Sequence, residues 1–270
     1  MRAAVIMSIY KNDNIKFVKE ALNSLYNQSK KADVFIKIDG AVDRELEEFL
    51  TREKEKGKIL YLDKREENKG LAYSLNELIK EVLNRGYDYV FRMDADDICN
   101  PLRFEKQINF MEKNRDVDIC GTYIKEFGED IEYEKVVKYP LTHKEMYEFF
   151  KKRVPVAHVS VCFKRSFFEK AGFYPVKGHI TNEDTLLWLE GFKKGCVFGN
   201  IDYIGVNVRV NKSFFKRRSG AKKVWYDFKN RIKVTRELSY GIKGYFYAAA
   251  GAVINTLPSF LKKIAYKILR

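Results

Sequence analysis

The stretch that decides the fold is Tyr87–Met111, which reads YDYVFRMDADDICNPLRFEKQINFM. Its first seven residues are mostly apolar, which is typical of a buried strand. A turn with three carboxylates follows, on Asp94, Asp96 and Asp97. The pair Asn100-Pro101 then predicts the start of a helix. Crowded carboxylates repel one another in water, so this turn indicates a divalent cation or a polar ligand. The alternative is a solvated turn that simply leads into the helix.

The quoted stretch is the last of four apolar runs that alternate with amphipathic, helix-like segments. The runs are Ala3–Ile9, Val34–Ile38, Lys58–Leu62 and Tyr87–Met93. Apolar residues recur at helical spacing between the runs. This alternation predicts an α/β fold with a Rossmann-like, mostly parallel sheet and helices on both faces.

The pattern changes after the quoted stretch. Further strands are predicted at Val117–Tyr123, Ile131–Tyr139 and Val197–Val210. Polar capping residues predict helix starts at Thr142, Ser166 and Thr181. Ligands of open α/β sheets bind beyond the carboxyl ends of the strands. No GxGxxG follows the first strand and no GxxxxGK[ST] occurs, which argues against a dinucleotide site of the Rossmann type and against a P-loop enzyme.

Charge is distributed unevenly along the chain. There are 51 Lys and Arg against 37 Asp and Glu, a net charge of +14. The segment Gly205–Arg270 holds 16 of the basic and 2 of the acidic residues, so the remaining 35 of each sign cancel. The sequence therefore predicts a neutral body, residues 1–210, and a basic tail, residues 211–270, suited to a polyanion or an anionic membrane surface.

The end of the tail has a pattern of its own. Over Ser259–Arg270, apolar residues share one side of a predicted helix and basic residues flank it. This is typical of a basic amphipathic helix in a membrane interface; the alternative is a helix docked on the protein's own body.

Cysteine usage and hydrophobicity limit the compartment. The four cysteines, Cys99, Cys120, Cys162 and Cys196, stand singly and have no zinc-like spacing. They indicate reduced, packed thiols of a cytosolic protein. No signal peptide is expected at the N-terminus, and no apolar run reaches the roughly 18 residues of a membrane-spanning helix.

Five segments, taken in order, resemble GT-A-type glycosyltransferases of family 2, especially bacterial lipopolysaccharide and capsule enzymes. They are VIMSIYKND, ENKGLAYSLNELI, FRMDADDICNPLRFEKQINFM, HVSVCFKRSFFEKAGFY and NEDTLLWLEGFKKG, within roughly Val5–Arg218. The third segment is similar to the subfamily's DxD strand, turn and helix almost residue for residue. The resemblance implies a nucleotide-sugar half at about residues 1–114 and an acceptor half at about residues 115–210.

For the donor side, the resemblance implies a nucleotide-diphosphate sugar bound with Mg²⁺ or Mn²⁺. Asp96 would be the direct metal ligand. Asp94 would contact the ribose or reach the metal through water, and Asp97 would support both. A hard cation suits carboxylate and phosphate oxygens.

The same likeness gives five residues a place around the nucleotide. Ser8 and Tyr10 would hold the base and ribose, and Asp39 the pyrimidine edge of a UDP-sugar. An isoleucine precedes Asp39 where the family often has a second acid, which leaves the base open. Asn68 and Gly70 would lie beside the nucleotide, or they form only a turn and a helix start.

On the acceptor side, Asp184 would be the catalytic base that takes the proton of the acceptor hydroxyl, with inversion at the anomeric carbon. It could also act as an N-terminal helix acid, and the two roles are compatible. Arg217 and Arg218 resemble a basic pair that some members fold over the diphosphate; the alternative is a solvated part of the tail. His158 is predicted to pack rather than to contact the acceptor, and a place for His179 on the acceptor side stays open.

The leading hypothesis is an inverting, metal-dependent glycosyltransferase of cell-surface polysaccharide synthesis. Its expected acceptor is a saccharide or a lipid-linked saccharide. Its expected place is the cytoplasm, at the cytoplasmic face of the inner membrane, where the tail contacts anionic lipid; no nucleic acid partner is expected. Two alternatives remain. A sugar nucleotidyltransferase would need a glycine-rich, arginine-containing loop, which SIYKNDN lacks. A non-enzymatic, basic membrane- or polyanion-binding protein would bind without Asp96 and Asp184.

Overall fold

The computed structural model describes residues 1–128, 134–176, 182–210 and 221–256. The strands are β1 (Ala3–Ile9), β2 (Asp33–Asp39), β3 (Tyr61–Arg65), β4 (Tyr89–Arg92), β5 (Ile98–Cys99), β6 (Val117–Phe127), β7 (Lys135–Val137), β8 (Cys162–Lys164) and β9 (Val197–Arg209). The helices are α1 (Ile15–Tyr26), α2 (Arg44–Glu55), α3 (Leu71–Asn84), α4 (Arg103–Lys113), α5 (His143–Phe150), α6 (Arg165–Ala171), α7 (Glu183–Lys193), α8 (Ala221–Glu237) and α9 (Gly241–Thr256).

A single sheet runs through the described chain in the order β3-β2-β1-β4-β8-β6-β9-β5, with β7 beside β6. The first four strands in this order are parallel neighbours. β8 is antiparallel to both β4 and β6, and β6 is parallel to β9. The predicted α/β fold is confirmed: its parallel part is the N-terminal half, and the second half makes the sheet mixed.

Helices cover both faces of this sheet, as expected from the apolar strands. Val5 and Met7 of β1 face a core that includes residues of α1, α2 and α4. Ala4 and Ile6 face the opposite core, with residues of α3, α5, α6, α7 and α8. Successive side chains of a strand point to opposite faces, so a continuous apolar run is what a doubly covered strand requires.

Several predicted boundaries differ from the structure. The third strand is Tyr61–Arg65, not Lys58–Leu62. The amides of Lys58 and Ile59 instead bind the carbonyl of Glu53, which is left without a partner in the last turn of α2. These amides bind the end of α2, and the strand begins only at Tyr61.

The helix after the three aspartates begins at Arg103 rather than at Asn100-Pro101. The intervening residues Ile98–Cys99 form β5, which pairs with β9. The side chain of Asn100 donates to the carbonyl of Ile204 on β9, so it joins a distant strand instead of capping α4.

The second half supports one predicted cap and contradicts another. Thr142 forms the predicted capping box of α5. Its side chain accepts from the amide of Glu145, and the Glu145 carboxylate accepts from the amide of Thr142. Ser166 does not cap α6, which already begins at Arg165. Its hydroxyl donates to Asp118 Oδ1 at 2.6 Å. The strand predicted at Ile131–Tyr139 is β7, and residues 131–133 lie outside the described residues.

The first part of the predicted tail is helical and docks on the body. Tyr147 donates its hydroxyl to the carbonyl of Leu238 at 2.6 Å, and Lys193 pairs with Glu237 at 2.6 Å. The helix predicted at Ser259–Arg270 lies outside the described residues. Within the described part of the chain, no helix combines the length and hydrophobicity that crossing a membrane requires.

Two buried polar side chains of α4 join the strands where the sheet changes direction. The Arg103 Nη2 donates to the carbonyls of Arg92 and Val161, at 3.0 and 3.2 Å. Gln107 Nε2 donates to the carbonyls of Cys120 and Ser160, and Gln107 Oε1 accepts from Arg103 Nε at 3.0 Å. These bonds satisfy carbonyls of the β4, β6 and β8 region that are buried beneath the acidic turn.

Replacing Gln107 with leucine keeps the volume and removes these bonds. We expect Q107L to lower the free energy of unfolding by roughly 2–4 kcal/mol, because buried carbonyls and the Arg103 Nε lose their partner. Urea unfolding followed by circular dichroism measures the change. The control N109A, at an exposed position of the same helix, should stay within about 0.5 kcal/mol of wild type. Equal stability of the two variants would contradict this account of the network.

Candidate active site

The acidic turn after β4 is held by a buried arginine. Arg92 is 3% exposed, and its Nη1 and Nη2 donate to Asp94 Oδ2 and Oδ1 at 2.8 and 2.5 Å. A bidentate guanidinium–carboxylate pair fixes the carboxylate plane as well as its position. Asp94 itself is 39% exposed, so it presents an oriented carboxylate to the surface beyond β4.

The other two aspartates of the turn are bound to the end of β9. Asp97 is 2% exposed, and its Oδ1 accepts from the amide of Arg209 at 2.7 Å. The Nε of the same arginine donates to the carbonyl of Asp96 at 3.0 Å. Burial, together with the negative charges of Asp94 and Asp96, raises the pKa of Asp97 well above its ordinary value. The turn is therefore electrostatically crowded, as the sequence predicts.

The acidic turn suits a cation that shares its ligands with a substrate. Within the described residues, no group of three or more His, Cys, Asp or Glu side chains is placed to hold a metal ion by itself. Mg²⁺ is usually held by one or two carboxylates together with phosphate oxygens and waters. Because Arg92 engages both oxygens of Asp94, Asp96 is the better candidate for a direct ligand. A crowded acidic turn fits such an ion.

The expected nucleotide residues follow the ends of two adjacent parallel strands. Ser8 lies near the end of β1 and pairs in register with Lys37, and Tyr10 follows that strand. Tyr10 donates its amide to Asp13 Oδ2 at 2.9 Å, which closes a turn. Asp39 ends the neighbouring strand β2. Ser8, Tyr10 and Asp39 therefore lie at the carboxyl edge of the sheet.

Asp39 organises the turn that contains Asn68 and Gly70. Its two carboxylate oxygens accept from the amides of Lys69 and Gly70, at 2.9 and 2.8 Å, and Asn68 Nδ2 donates to its carbonyl at 2.9 Å. Gly40 has φ +88°, and a Cβ there would lie 3.0 Å from the amide nitrogen of Asn68. The two segments approach so closely that only glycine fits between them.

Arg65 completes this corner, and the sequence interpretation missed it. It ends β3 in register with Asp39, its Nη2 donates to Ser74 Oγ at 2.8 Å, and its Nε lies 3.3 Å from Asp39 Oδ1. Its Nε and Nη1 are buried and make no hydrogen bond within the described residues. Arg65 thus adds a positive charge beside the Asp39 carboxylate.

Asp184 lies in the first turn of α7, where burial raises its pKa. Its Oδ1 accepts from the amide of Thr185 at 2.7 Å and from the Thr185 hydroxyl at 3.4 Å. These bonds and the positive charges of Arg92 and Lys223 act against the increase. Desolvation outweighs the favourable interactions, so the net shift of the Asp184 pKa is upward. A carboxylate with a raised pKa is better matched to accepting a proton.

Arg92 connects the acidic turn to the region of Asp184. Its charge lowers the pKa of both Asp184 and Glu183, and it also affects Tyr174 and His158. His158 Nε2 lies 2.7 Å from the Tyr174 hydroxyl. Burial and the Arg92 charge lower the pKa of His158 well below its ordinary value, so its imidazole is neutral near pH 7.

Three other predicted residues cannot be placed. Arg217, Arg218 and His179 lie outside the described residues. The predicted donor-side residues and the acidic turn follow the ends of neighbouring strands; the residues are Ser8, Tyr10, Asp39, Asn68 and Gly70. Arg92, which binds the acidic turn, also acts on Asp184 through its charge.

Comparison with known proteins identifies the family. The model of glycosyl transferase family 2 matches residues 4–172, more than half of the chain. The chain belongs to glycosyltransferase family 2. It is therefore an enzyme that transfers sugars, which sets aside both the nucleotidyltransferase and the non-enzymatic binding protein.

Two curated relatives of this family 2 enzyme are similar over most of their length. An uncharacterized glycosyltransferase of Haemophilus influenzae is 36% identical over 278 residues, which cover 100% of both chains. The UDP-Gal:alpha-D-GlcNAc-diphosphoundecaprenol beta-1,3-galactosyltransferase of Escherichia coli is 33% identical over 224 residues, which cover 81% of this chain and 78% of the relative.

Solved structures support the fold of this glycosyltransferase. The mannosyltransferase PcManGT from Pyrobaculum calidifontis, in complex with GDP-Man and Mn²⁺, superposes with a TM-score of 0.62 at 14% identity and covers 99% of this chain and 79% of that one. At this identity the likeness concerns the fold alone, and the fold is the expected GT-A arrangement.

The sequence interpretation missed two arginines of the transferase site besides Arg65. Arg92 carried a signal, because an arginine inside the apolar run YVFRM would be buried without a partner unless an acid lay nearby. Arg209 carried none, since its contact with Asp97 joins residues 112 positions apart.

Proposed function

We propose that this enzyme transfers a sugar, with inversion, from a nucleotide-diphosphate sugar to a hydroxyl of a saccharide or lipid-linked acceptor in cell-surface polysaccharide synthesis. A UDP-sugar is the first donor to test. The observation that carries this proposal is the position of Arg92. It binds Asp94 of the acidic turn directly, and its charge opposes the increase that burial causes in the pKa of Asp184. This supports placing the donor-side and acceptor-side carboxylates in one site.

The comparisons support the substrate classes. The Escherichia coli relative acts, by its name, with UDP-Gal on a diphosphoundecaprenol-linked GlcNAc. The Pyrobaculum structure holds GDP-Man and Mn²⁺. Both donors are nucleotide-diphosphate sugars, and the first acceptor is lipid-linked. We extend this chemistry, but not those particular sugars, to the present chain.

In the proposed reaction, Asp184 accepts the proton of the acceptor hydroxyl. The hydroxyl oxygen forms a bond to the anomeric carbon while the bond from that carbon to the diphosphate oxygen breaks, and the nucleoside diphosphate leaves with the electron pair. Thr185 holds Asp184 Oδ1, so we assign Oδ2 to the acceptor hydroxyl. Attack opposite the leaving group inverts the configuration.

The donor side orients the diphosphate. Asp96, with Asp94 in support, would hold Mg²⁺ or Mn²⁺, which when bound neutralises charge that develops on the leaving diphosphate. Arg92 fixes the plane of Asp94, and Arg209 fixes the backbone of the acidic turn. Arg217 and Arg218 are proposed as further diphosphate contacts.

The nucleotide is assigned to the corner formed by Ser8, Tyr10, Asp39, Asn68 and Gly70. A carboxylate has about four acceptor positions, so Asp39 can bind the amides of the 68–70 turn and still accept from a base. In this assignment Asp39 both shapes the corner and contacts the pyrimidine edge.

A contact with the anionic surface of a membrane is proposed for the C-terminal segment. The face of α9 turned away from α8 exposes Ile242 by 85%, Phe246 by 70% and Val253 by 62%, and these positions share one side of the helix. The opposite side packs through small residues, with Gly244 against Thr235. An apolar helix face within Gly205–Arg270, a stretch of net charge +14, suits the interface of an anionic bilayer. The enzyme would then work at the cytoplasmic face of the inner membrane.

Asp96 tests the metal assignment. We expect D96N to lower Mn²⁺-supported sugar transfer by about 100-fold or more, because the charge that holds the ion is lost. The donor is chosen by a thermal-shift screen of nucleotide sugars with Mn²⁺, and UDP affinity with and without Mn²⁺ is measured by calorimetry. D43N, at an exposed acid before α2, is the control and should behave as wild type. A D96N enzyme whose UDP binding still strengthens with Mn²⁺ would rule out Asp96 as the ligand.

Asp184 tests the assignment of the base. D184N should lower kcat by about 100-fold or more while UDP affinity stays near that of wild type. Since the base acts ionised and its pKa is raised, wild-type kcat should fall with decreasing pH around a midpoint above the ordinary aspartate pKa of about 3.9. Steady-state transfer assays over a range of pH measure both effects. Full turnover in D184N would remove Asp184 from this role.

The membrane contact is tested by co-sedimentation with phosphatidylglycerol-containing vesicles. The double substitution I242S and F246S should weaken binding by about tenfold or more, because two exposed apolar side chains no longer enter the interface. A249S, on the same side of α9, serves as the control. Deleting residues 259–270 should weaken binding most at low salt. If the double variant sediments like wild type, α9 is not the contact surface.

A further inference from the structure

A strained residue directly precedes the helix that carries Asp184. Asn182 has φ +60° and ψ 56°, a left-handed conformation, and the only other non-glycine residue with positive φ in the described chain is Ser239. Asparagine tolerates this conformation better than most residues, but the surroundings must hold it there. The conformation of Asn182 sets the direction in which Glu183 and Asp184 enter α7.

Both ends of the Asn182 amide are held by α8. Its Nδ2 donates to Asp227 Oδ1 at 2.6 Å, and its Oδ1 accepts from Lys223 Nζ at 3.0 Å. Lys223 and Asp227 also pair with each other at 3.4 Å, one turn apart on α8. We call Lys223 and Asp227, together with their bonds to Asn182, the α8 clamp. The side chains of Lys223 and Asp227 are only about a quarter exposed, so this contact is partly shielded from water.

The α8 clamp is connected to the Asp184 carboxylate through the backbone. The carbonyl of Asn182 accepts from the amide of Thr185 at 3.1 Å. The same amide donates to Asp184 Oδ1 at 2.7 Å. A rotation of Asn182 therefore moves the N–H group that orients the carboxylate. In addition, the Lys223 charge lowers the pKa of Asp184.

The clamp is not what docks α8 on the body. Farther along α8, Arg231 donates to the carbonyl of Phe150 at 2.5 Å and Glu237 pairs with Lys193 at 2.6 Å. Val234 and Leu238 are buried in the core on that side of the sheet. Because these contacts already secure the helix, the bonds of Lys223 and Asp227 with Asn182 have a more local effect, at the start of α7.

We infer that Lys223 and Asp227, in the basic C-terminal segment, are positioning residues for the carboxylate of Asp184. The inference rests on the proposed role of Asp184 as catalytic base. It makes α8 part of the catalytic unit, whereas the sequence pattern places it in an appended tail. The donor corner should not depend on it, since Ser8, Tyr10 and Asp39 lie at other strand ends.

A double-mutant cycle tests the clamp. D227A removes the acceptor for Asn182, and N182G removes the clamped side chain while allowing the left-handed conformation. Each should lower kcat by about tenfold or more, since small displacements of a catalytic group have effects of this size or larger. UDP affinity should change less than about twofold. The double variant should be no slower than the slower single variant, because both changes break one contact. D227N, which keeps an acceptor oxygen, should recover part of the activity.

K229A is the matched control, since Lys229 is exposed on the same helix and its Nζ lies over the ring of Trp225, 5.1 Å from the centroid. Its kcat should equal that of wild type. A kcat that falls about 100-fold in the double variant, as independent effects multiply, would overturn the inference, and so would unchanged turnover in D227A or an equal loss in K229A.

Hydrogen exchange separates this inference from the proposed function. Amides of the first turn of α7 should exchange faster in D227A and N182G than in wild type and K229A, while those of α3 stay unchanged. This measurement needs no substrate. If wild type transferred sugar from no donor, the proposed function would fail while exchange would still decide on the clamp. Unchanged exchange at α7 in both variants would overturn the clamp itself.

Discussion

One fully buried guanidinium, that of Arg103, lies beneath the site, and the rest of the structure depends on it. Where the parallel strands β1 and β4 meet the antiparallel strand β8, the direction of backbone pairing changes. Arg103 and Gln107 donate to four carbonyls of buried residues in the β4, β6 and β8 region, and the carbonyl of Val161 also accepts from the amide of Arg92. These buried carbonyls therefore keep hydrogen-bond partners where the sheet becomes mixed.

Above this network, the acidic turn is arranged by cations that the protein itself provides. The Arg92 guanidinium binds the Asp94 carboxylate, and the Arg209 guanidinium donates to the carbonyl of Asp96. The backbone amide of Arg209 donates to the Asp97 carboxylate. Burial and the charges of Asp94 and Asp96 raise the pKa of Asp97, so a third ionised carboxylate in this turn is unfavourable. A turn whose carboxylates are held by hydrogen bonds and crowd one another is suited to a divalent ion arriving with its phosphate ligands, since little reorganisation is then needed.

The sequence predicted what is local, and it failed where distant segments meet. The spacing of apolar residues and the capping residues were enough to predict the alternating strands and helices of the first half, the helix after Thr142 and the position of the acidic turn. β5 was missed because its two residues are strand only through pairing with β9. Asn100 was predicted to start a helix, yet its side chain donates a hydrogen bond to the carbonyl of Ile204. The site followed the same rule: the resemblance pointed to the carboxylates, while Arg209 and Asn182 owe their roles to contacts that no local pattern encodes.

The distance along the chain between the parts of the site has a consequence for biosynthesis. A ribosome releases the donor corner, residues 8–70, long before Arg209 reaches the acidic turn and before Asp227 reaches Asn182. Domains fold from the N-terminus as they emerge. In a nascent chain the acidic turn therefore waits for its bonds from Arg209, and the start of α7 waits for those from α8, until these later segments have been made. Under the proposed assignment, a chain that stops before Asp227 would keep the donor corner and lose the contact that holds Asn182.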